Sequence, residues 1–187
     1  MDILESEINE IWSWIANDRK CSVDEIKQLA KTQGIFSDVY ESNAGNNIYN
    51  AVSSTIDKLV DNDINETATA QLLTALAMDS ESIVILDLLM SKLSKTQLNN
   101  LIVLGLKFDY RDTRWQAIEM LMESTIPGKN VVLYNILKTE KDPYVLRVGL
   151  NFLSNLDIQL AKRIAKKNLK SDDDYLRILA QEILESL

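Results

Sequence analysis

The chain has 187 residues, of which 46% are apolar and 26% are charged, with five glycines and two prolines. This length fits one domain with a packed core, and the composition excludes a disordered chain. The chain has no histidine and a single cysteine, Cys21. Ser-His-Asp and Cys-His catalysis, most zinc sites and a disulfide framework are therefore excluded, and no cofactor is expected.

The formal net charge is −8, and it is unevenly distributed. Residues 1–95 carry 16 acidic and 7 basic side chains, whereas residues 96–187 carry 12 and 13. An acidic surface attracts basic partners and repels a phosphate backbone, which argues against nucleic acid. The alternative is a solvated acidic face that only keeps the protein in solution.

The first seven residues lack the basic start and apolar run of a signal peptide, so we expect the protein to be located in the cytoplasm. The longest strongly apolar stretch, 83–90, contains Asp87 and is far shorter than the roughly 20 residues that cross a bilayer. We therefore expect no membrane association.

Helical periodicity extends over nearly the whole sequence, and no segment shows the alternation of a strand pair. The pattern predicts an all-α protein of about eleven helices. The predicted helices cover 3–17, 22–32, 46–61, 65–78, 81–94, 96–107, 110–124, 128–139, 143–155, 158–170 and 174–186.

Three helix starts have specific sequence signals. Ser22 with Glu25 and Ser94 with Gln97 have the spacing of capping boxes, and Asp142 precedes Pro143 at a first helical position. Between residues 33 and 46 lies the one long irregular connection, a kind of loop that is usually functional or mobile. The stretch 83–90 is apolar nearly all round, which predicts a helix covered on most sides, with a buried strand as the alternative.

A repeat is visible in residues 96–187. In each of three segments an aspartate stands five residues before an arginine, and the arginines are 33 and 30 residues apart, within the range of solenoid periods. The three pairs are Asp109 with Arg114, Asp142 with Arg147 and Asp172 with Arg177. Apolar residues at −1, +3 and +6 from each arginine lie on one helix face, which predicts a shared apolar seam.

Aspartate at the turn, followed by Val/Leu-Arg-x-x-Ala-x-x-Leu, resembles the HEAT-repeat family. The resemblance covers residues 96–187; the earlier part, with irregular N-terminal helices and loop in 1–46, is only helical. It implies a single domain, 1–187, built as a HEAT-like α-solenoid of antiparallel helix pairs. The resemblance also implies structural roles for the six repeat residues, with carboxylates that cap helices and guanidinium groups that reach the turn of an adjacent repeat.

Solenoids usually bind their partners on the concave face. Positions opposite the apolar seam predict which residues line that face. They include Arg111, Trp115, Glu119, Tyr144, Asn151, Asp174 and Gln181. Aromatic residues among charges are typical interface anchors. Trp115, and Val148 and Ile178 at other positions opposite the seam, could equally belong to the core between repeats.

Two other charged features have ordinary explanations. Asp172–Asp174 and the Asp61-Asn62-Asp63 motif contain carboxylates but lack the loop spacing of calcium sites, so no metal is expected. The basic residues between Lys162 and Lys170 form one helix face, which is usually solvated; an anion-binding patch is the alternative.

Taken together, these features predict a non-enzymatic protein-binding module. Some acidic HEAT-like proteins of this size are similar to bacterial immunity proteins, which neutralise a toxin domain delivered by a neighbouring cell. The leading hypothesis is therefore an immunity protein that binds a basic toxin domain, such as a nuclease.

Two alternatives remain open. One is an adaptor or scaffold subunit of an intracellular complex. The other is an alkylpurine DNA glycosylase, a class that also uses HEAT-like repeats, for which Arg111, Asp112 and Trp115 supply suitable residue types. The net charge of −8 argues against the glycosylase, because that enzyme needs a basic track for DNA.

Overall fold

A computed structural model describes residues 2–36, 46–59 and 65–186. Within these ranges the chain forms eleven α-helices and no strand, which confirms the all-α prediction. The helices are α1 (Ile3–Asp18), α2 (Val23–Leu29), α3 (Ile48–Leu59), α4 (Glu66–Met78), α5 (Val84–Lys92), α6 (Lys95–Gly105), α7 (Arg111–Glu123), α8 (Lys129–Leu137), α9 (Pro143–Leu156), α10 (Ile158–Asn168) and α11 (Asp174–Glu185). Most of the predicted irregular connection, 37–45, and the motif at 61–63 lie outside the described residues.

The three predicted helix starts are confirmed. Ser22 and Glu25 form a reciprocal capping box at α2, and Ser94 and Gln97 form one at α6. At α9 the Asp142 carboxylate accepts hydrogen bonds from two backbone N–H groups of the first turn. These starts depend on residues within three positions of each other, so local sequence suffices to specify them.

The apolar stretch at 83–90 is helical from Val84 onward, as predicted, but the helix is not covered on most sides. Ile83 and Val84 are 40% and 41% exposed, and only two residues of α5, Ile85 and Leu89, are buried. Ile83 precedes the helix with φ of 53°, a left-handed conformation that is strained for a β-branched residue. The expectation of an enclosed central helix was wrong because the composition of a helix does not decide how many neighbours it has.

A buried carboxylate stabilises this unusual helix start. Asp79, at the end of α4, accepts a hydrogen bond of 2.6 Å from the Ile85 backbone N–H and one of 3.1 Å from the Tyr49 hydroxyl. The Ser82 hydroxyl also donates to Asp79. Since Ile83 has no polar side chain with which to cap α5, an aspartate six residues before Ile85 takes that role.

The contacts within the chain divide it into two compact units, Met1–Met120 (unit 1) and Leu121–Leu187 (unit 2). In unit 1, α1 packs against α2, α3 and α4, and α4 packs against α5 and α6. In unit 2, α9 packs against α8, α10 and α11, and α10 against α11. The repeat predicts that residues 1–187 form a single domain, which requires the two units to unfold together. That cooperative unfolding stays a prediction.

Buried polar groups attach the first turns of α7 to α4 inside unit 1. The Thr113 hydroxyl donates to the Leu73 carbonyl and the Gln116 side-chain amide donates to the Leu76 carbonyl, both at 2.7 Å. Both side chains are fully buried. Because an unpaired buried polar group is costly, these bonds specify one position of α7 along α4.

Candidate functional site

The repeat arginines bind turns of the chain, as a structural role requires. Arg114 donates to the carbonyls of Phe108 (3.2 Å) and Asp109 (2.7 Å), and Arg177 donates to the carbonyl of Ser171 (2.8 Å). Two of the three arginines therefore contact a carbonyl six residues earlier. Each guanidinium thereby holds the turn that leads into its own helix.

Arg147 differs from the other two. Its Nε lies 3.9 Å from the carboxylate of Asp173, in the turn before α11, and its guanidinium lies over the rings of Tyr144 and Tyr175 at 5.3 and 5.1 Å. It reaches the turn before α11 and the first turn of that helix. The contact is an ion pair combined with cation–π stacking.

The three repeat aspartates do not share one role. Asp142 caps α9, whereas the cap of α11 is Asp173, one residue later than the predicted Asp172, which is exposed. The Asp109 carboxylate pairs with Lys31 at 3.2 Å and so connects the turn before α7 to the end of α2. A one-residue shift between adjacent aspartates cannot be resolved from the sequence, because either residue could cap the helix.

In unit 1 the predicted concave face is largely internal. Trp115 is only 8% exposed, and its indole N–H donates to the buried carboxylate of Asp112 at 3.2 Å. The Arg111 Nε lies 3.5 Å from the same carboxylate. Trp115 is therefore core and not an exposed anchor, and a ring buried in this way offers no face to a nucleotide.

Glu119 is the third predicted residue of this face and is half-buried. Burial raises the pKa of its carboxyl above the ordinary value. The sequence pattern placed Glu119 on a face opposite the apolar seam, but that face is partly covered as well.

In unit 2 the predicted face is exposed. Asn151, Asp174 and Gln181 are exposed and Tyr144 is half-buried under Arg147. Ile178, which the sequence pattern also placed opposite the seam, is 55% exposed and is therefore not core, and the structure adds Tyr175 of α11 at 71% exposure. No local signal identifies Tyr175, since exposure depends on which neighbours cover a helix.

A groove in unit 1 was not predicted. It consists of two adjoining hollows of 460 and 710 Å³ that share Glu66, Ala70, Thr74 and Tyr110, and we call it the α4 groove. Glu66, Ala70 and Thr74 are four residues apart and form one face of α4. α1 contributes Glu5 and Trp12, and the end of α6 with the turn after it contributes Leu104 and Phe108.

Aromatic rings form part of the wall of the α4 groove. Tyr110 lies 5.5 Å from Trp12 and 5.5 Å from Phe108, measured between ring centroids. Trp12 also contacts Phe36, with 5.2 Å between ring centroids. Burial and the negative charge of Asp109 raise the pKa of the Tyr110 hydroxyl, so it is a neutral donor at physiological pH.

The residues of the groove come from three parts of the sequence, near 5–12, 66–74 and 104–110. The regular spacing of small and polar residues on α4 was the only signal available for it. That spacing equally describes an ordinary solvated helix face, so only the assembled fold reveals the groove.

Positive charge is concentrated on α10. Arg163, Lys166 and Lys167 are exposed and lie on one side of α10, and exposed Lys170 follows in the turn after the helix. Lys162 is partly covered, and its ammonium donates to the Ser186 carbonyl. The predicted basic face is therefore present and open to solvent.

Among residues 2–36, 46–59 and 65–186, no group of three or more His, Cys, Asp or Glu side chains is arranged to hold a metal ion. No helix in these ranges is both long and apolar enough to span a membrane. Comparisons with protein-family models, curated proteins and solved structures find no match.

Proposed function

We propose that this chain is a non-catalytic protein-binding module that recognises a basic protein. The most specific form of the proposal is a cytoplasmic immunity protein that binds and neutralises a basic toxin domain, such as a nuclease. One observation carries the proposal: unit 1 is strongly acidic and bears an open groove.

The charge difference between the units is large. Unit 1 has 19 acidic and 10 basic residues, a net charge of −9, whereas unit 2 has 9 acidic and 10 basic residues, a net charge of +1. An acidic surface increases the association rate of a basic partner and disfavours acidic competitors. A toxin that binds nucleic acid needs a basic surface, so an acidic inhibitor is suited to cover its active site.

We also propose that the helices are arranged as HEAT-like pairs. In unit 2, α8 with α9 and α10 with α11 are consecutive packed helices, and α9 also packs against α10 and α11. The contact of Arg147 with Asp173 and Tyr175 supports the same arrangement, because it links one pair to the next.

The experiment is affinity capture of the full chain from its native cell, with the product of the adjacent upstream gene included as a purified candidate. We expect a one-to-one complex with a basic domain whose activity the protein blocks. Raising the salt from about 50 to about 150 mM should weaken the complex and slow its association.

Two results would contradict the proposal. If the chain binds a housekeeping complex and no basic domain, the hypothesis of an adaptor subunit replaces that of an immunity protein. If it binds duplex DNA alone with nanomolar affinity at physiological salt, the glycosylase reading returns despite the buried position of Trp115.

A further inference from the structure

The α4 groove combines three features that suit one kind of side chain. It has space above the small residues of α4, it has aromatic walls, and it has carboxylates at its rim. We propose that the groove binds an arginine side chain of a basic protein partner. This inference rests on the proposed function and identifies where on unit 1 the partner is held.

The space exists because α4 presents small side chains there. Ala70 is exposed and Thr74 is partly exposed, and both line the two hollows. A longer residue at either position would fill the groove. The combined hollows are large enough for one long side chain, which inserts between α1 and the turn after α6.

The rim carries two carboxylates that are not engaged in a direct ion pair with a described residue, although two lysines lie on the same rim. Glu5 and Glu66 are exposed, and neither forms an ion pair with a described residue. The basic residues of the rim are Lys27 and Lys107, and the Asp109 carboxylate is paired with Lys31. Two carboxylates therefore remain available to the planar fork of N–H donors that a guanidinium carries.

The aromatic wall already attracts a cation within the chain. The Lys27 ammonium lies 5.8 Å from the centroid of the Trp12 ring, which is only 2% exposed and so offers no open face to a second cation. The rings open to the groove are those of Tyr110 and Phe108, which are half-buried and contact each other. A guanidinium stacks on aromatic rings and is more weakly hydrated than an ammonium, so the groove favours arginine over lysine.

Gln71 adds a hydrogen-bond acceptor to the wall. Its side-chain oxygen is buried and has no hydrogen-bond partner among the described residues, and the residue lines the groove. A buried acceptor without a partner costs free energy. A rotation of the side-chain amide toward the groove gives that oxygen an N–H donor from the bound guanidinium.

The test measures binding of two blocked peptides, hexa-arginine and hexalysine, to the full chain by calorimetry at about 50 mM salt. We expect hexa-arginine to bind at least about threefold more tightly. The double variant Glu5→Gln/Glu66→Gln should weaken hexa-arginine binding about fivefold, as loss of two partly exposed ion pairs predicts.

The matched control is Glu10→Gln/Glu81→Gln, which removes the same charge from exposed positions of unit 1 outside the groove. It should weaken binding by less than about twofold. A second variant, Ala70→Leu, fills the groove without a charge change and should also weaken hexa-arginine binding. Equal losses in the two double variants, or equal affinities for the two peptides, would overturn the inference.

Binding of the captured toxin domain to the variants distinguishes a failure of this inference from a failure of the proposed function. If the domain binds the wild-type chain, but the groove and control double variants weaken it equally, the groove assignment fails and the proposed function stands. If hexa-arginine binds in the groove but no basic domain is captured, the proposed function fails and the groove assignment stands.

Discussion

The two units differ in what holds them together. In unit 1, buried polar bonds join elements that are distant in sequence, as in the attachment of Thr113 and Gln116 to the α4 backbone. In unit 2, helices that follow one another pack through an apolar seam, with the Arg147 contacts added at the surface. The regular repeat is therefore easiest to detect in unit 2, while the groove arises in unit 1, where packing is irregular.

The same kind of arginine serves both units. Arg114 in unit 1 and Arg177 in unit 2 each donate to a carbonyl six residues earlier. A local motif thus makes the same local contact in both surroundings. The surrounding fold determines the further contacts of each arginine. Arg114, for example, also approaches the carbonyl of Lys31, 83 residues earlier in the chain, at 3.5 Å.

The largest expected effect concerns the aromatic cluster of unit 1. Trp12→Ala removes a ring that is 2% exposed and contacts both Phe36 and Tyr110. We expect the free energy of unfolding to fall by about 3–5 kcal/mol. Urea unfolding followed by the fluorescence of Trp14 and Trp115 measures it, and a loss below about 1 kcal/mol would show that the cluster does not stabilise unit 1.

The next effect lies in unit 2. A Cβ at Gly149 would come within 2.4 Å of Leu137 Cδ2 and 3.1 Å of its Cγ, so in Gly149→Ala the buried Leu137 side chain or the packing of α8 against α9 must shift. We expect a loss of about 1–3 kcal/mol by circular dichroism. Gly105→Ala in unit 1 is the comparison: its added Cβ lies 3.0 Å from the Ala117 Cβ and 3.2 Å from Leu73 Cδ2, a tight but smaller overlap that should cost less.

Gly149→Ala also tests the predicted single domain. All three tryptophans lie in unit 1, so their fluorescence does not report directly on unit 2. A single cooperative domain requires the same midpoint shift by fluorescence and by circular dichroism. A shift in circular dichroism alone would mean that the two units unfold separately.

A smaller effect tests the helix caps of unit 2. Asp142 accepts hydrogen bonds from the backbone N–H groups of Tyr144 (2.9 Å) and Val145 (3.1 Å). Asp142→Ala should lower the free energy of unfolding by about 1–2 kcal/mol. Asp172→Ala, at an exposed aspartate that does not cap α11, should change it by less than about 0.5 kcal/mol. A comparable loss in both variants would restore Asp172 as the capping residue.

The smallest effect depends on pH. Burial raises the pKa of the Glu119 carboxyl in the folded state. As pH rises, the carboxyl therefore loses its proton at lower pH in the unfolded chain than in the folded one, and the free energy of unfolding falls. Glu119→Gln removes the charge, so we expect it to be more stable than wild type at pH 7, with the difference lost below the unfolded pKa. Urea unfolding at pH 7 and pH 3.5 tests this, and exposed Glu10→Gln serves as the control.

The sequence by itself determined the all-α class, the number and positions of the helices, and the caps at Ser22, Ser94 and Asp142. These features follow from residues within a few positions of one another, so the physical cause is local and visible in the sequence. The internal repeat also singled out the arginines, but Arg114 and Arg177 bind the turn before their own helix and not, through these bonds, the turn of an adjacent repeat.

Only the tertiary structure decided which surfaces are open. It buried Trp115, exposed Ile83 and Val84, and brought Tyr110 beside Trp12 to form the α4 groove. A helical pattern tells which residues share a face but not which other helix covers that face. The covering helices are tens of residues away in the chain, so their positions depend on long-range packing and on buried polar bonds such as those of Asp79 and Gln116.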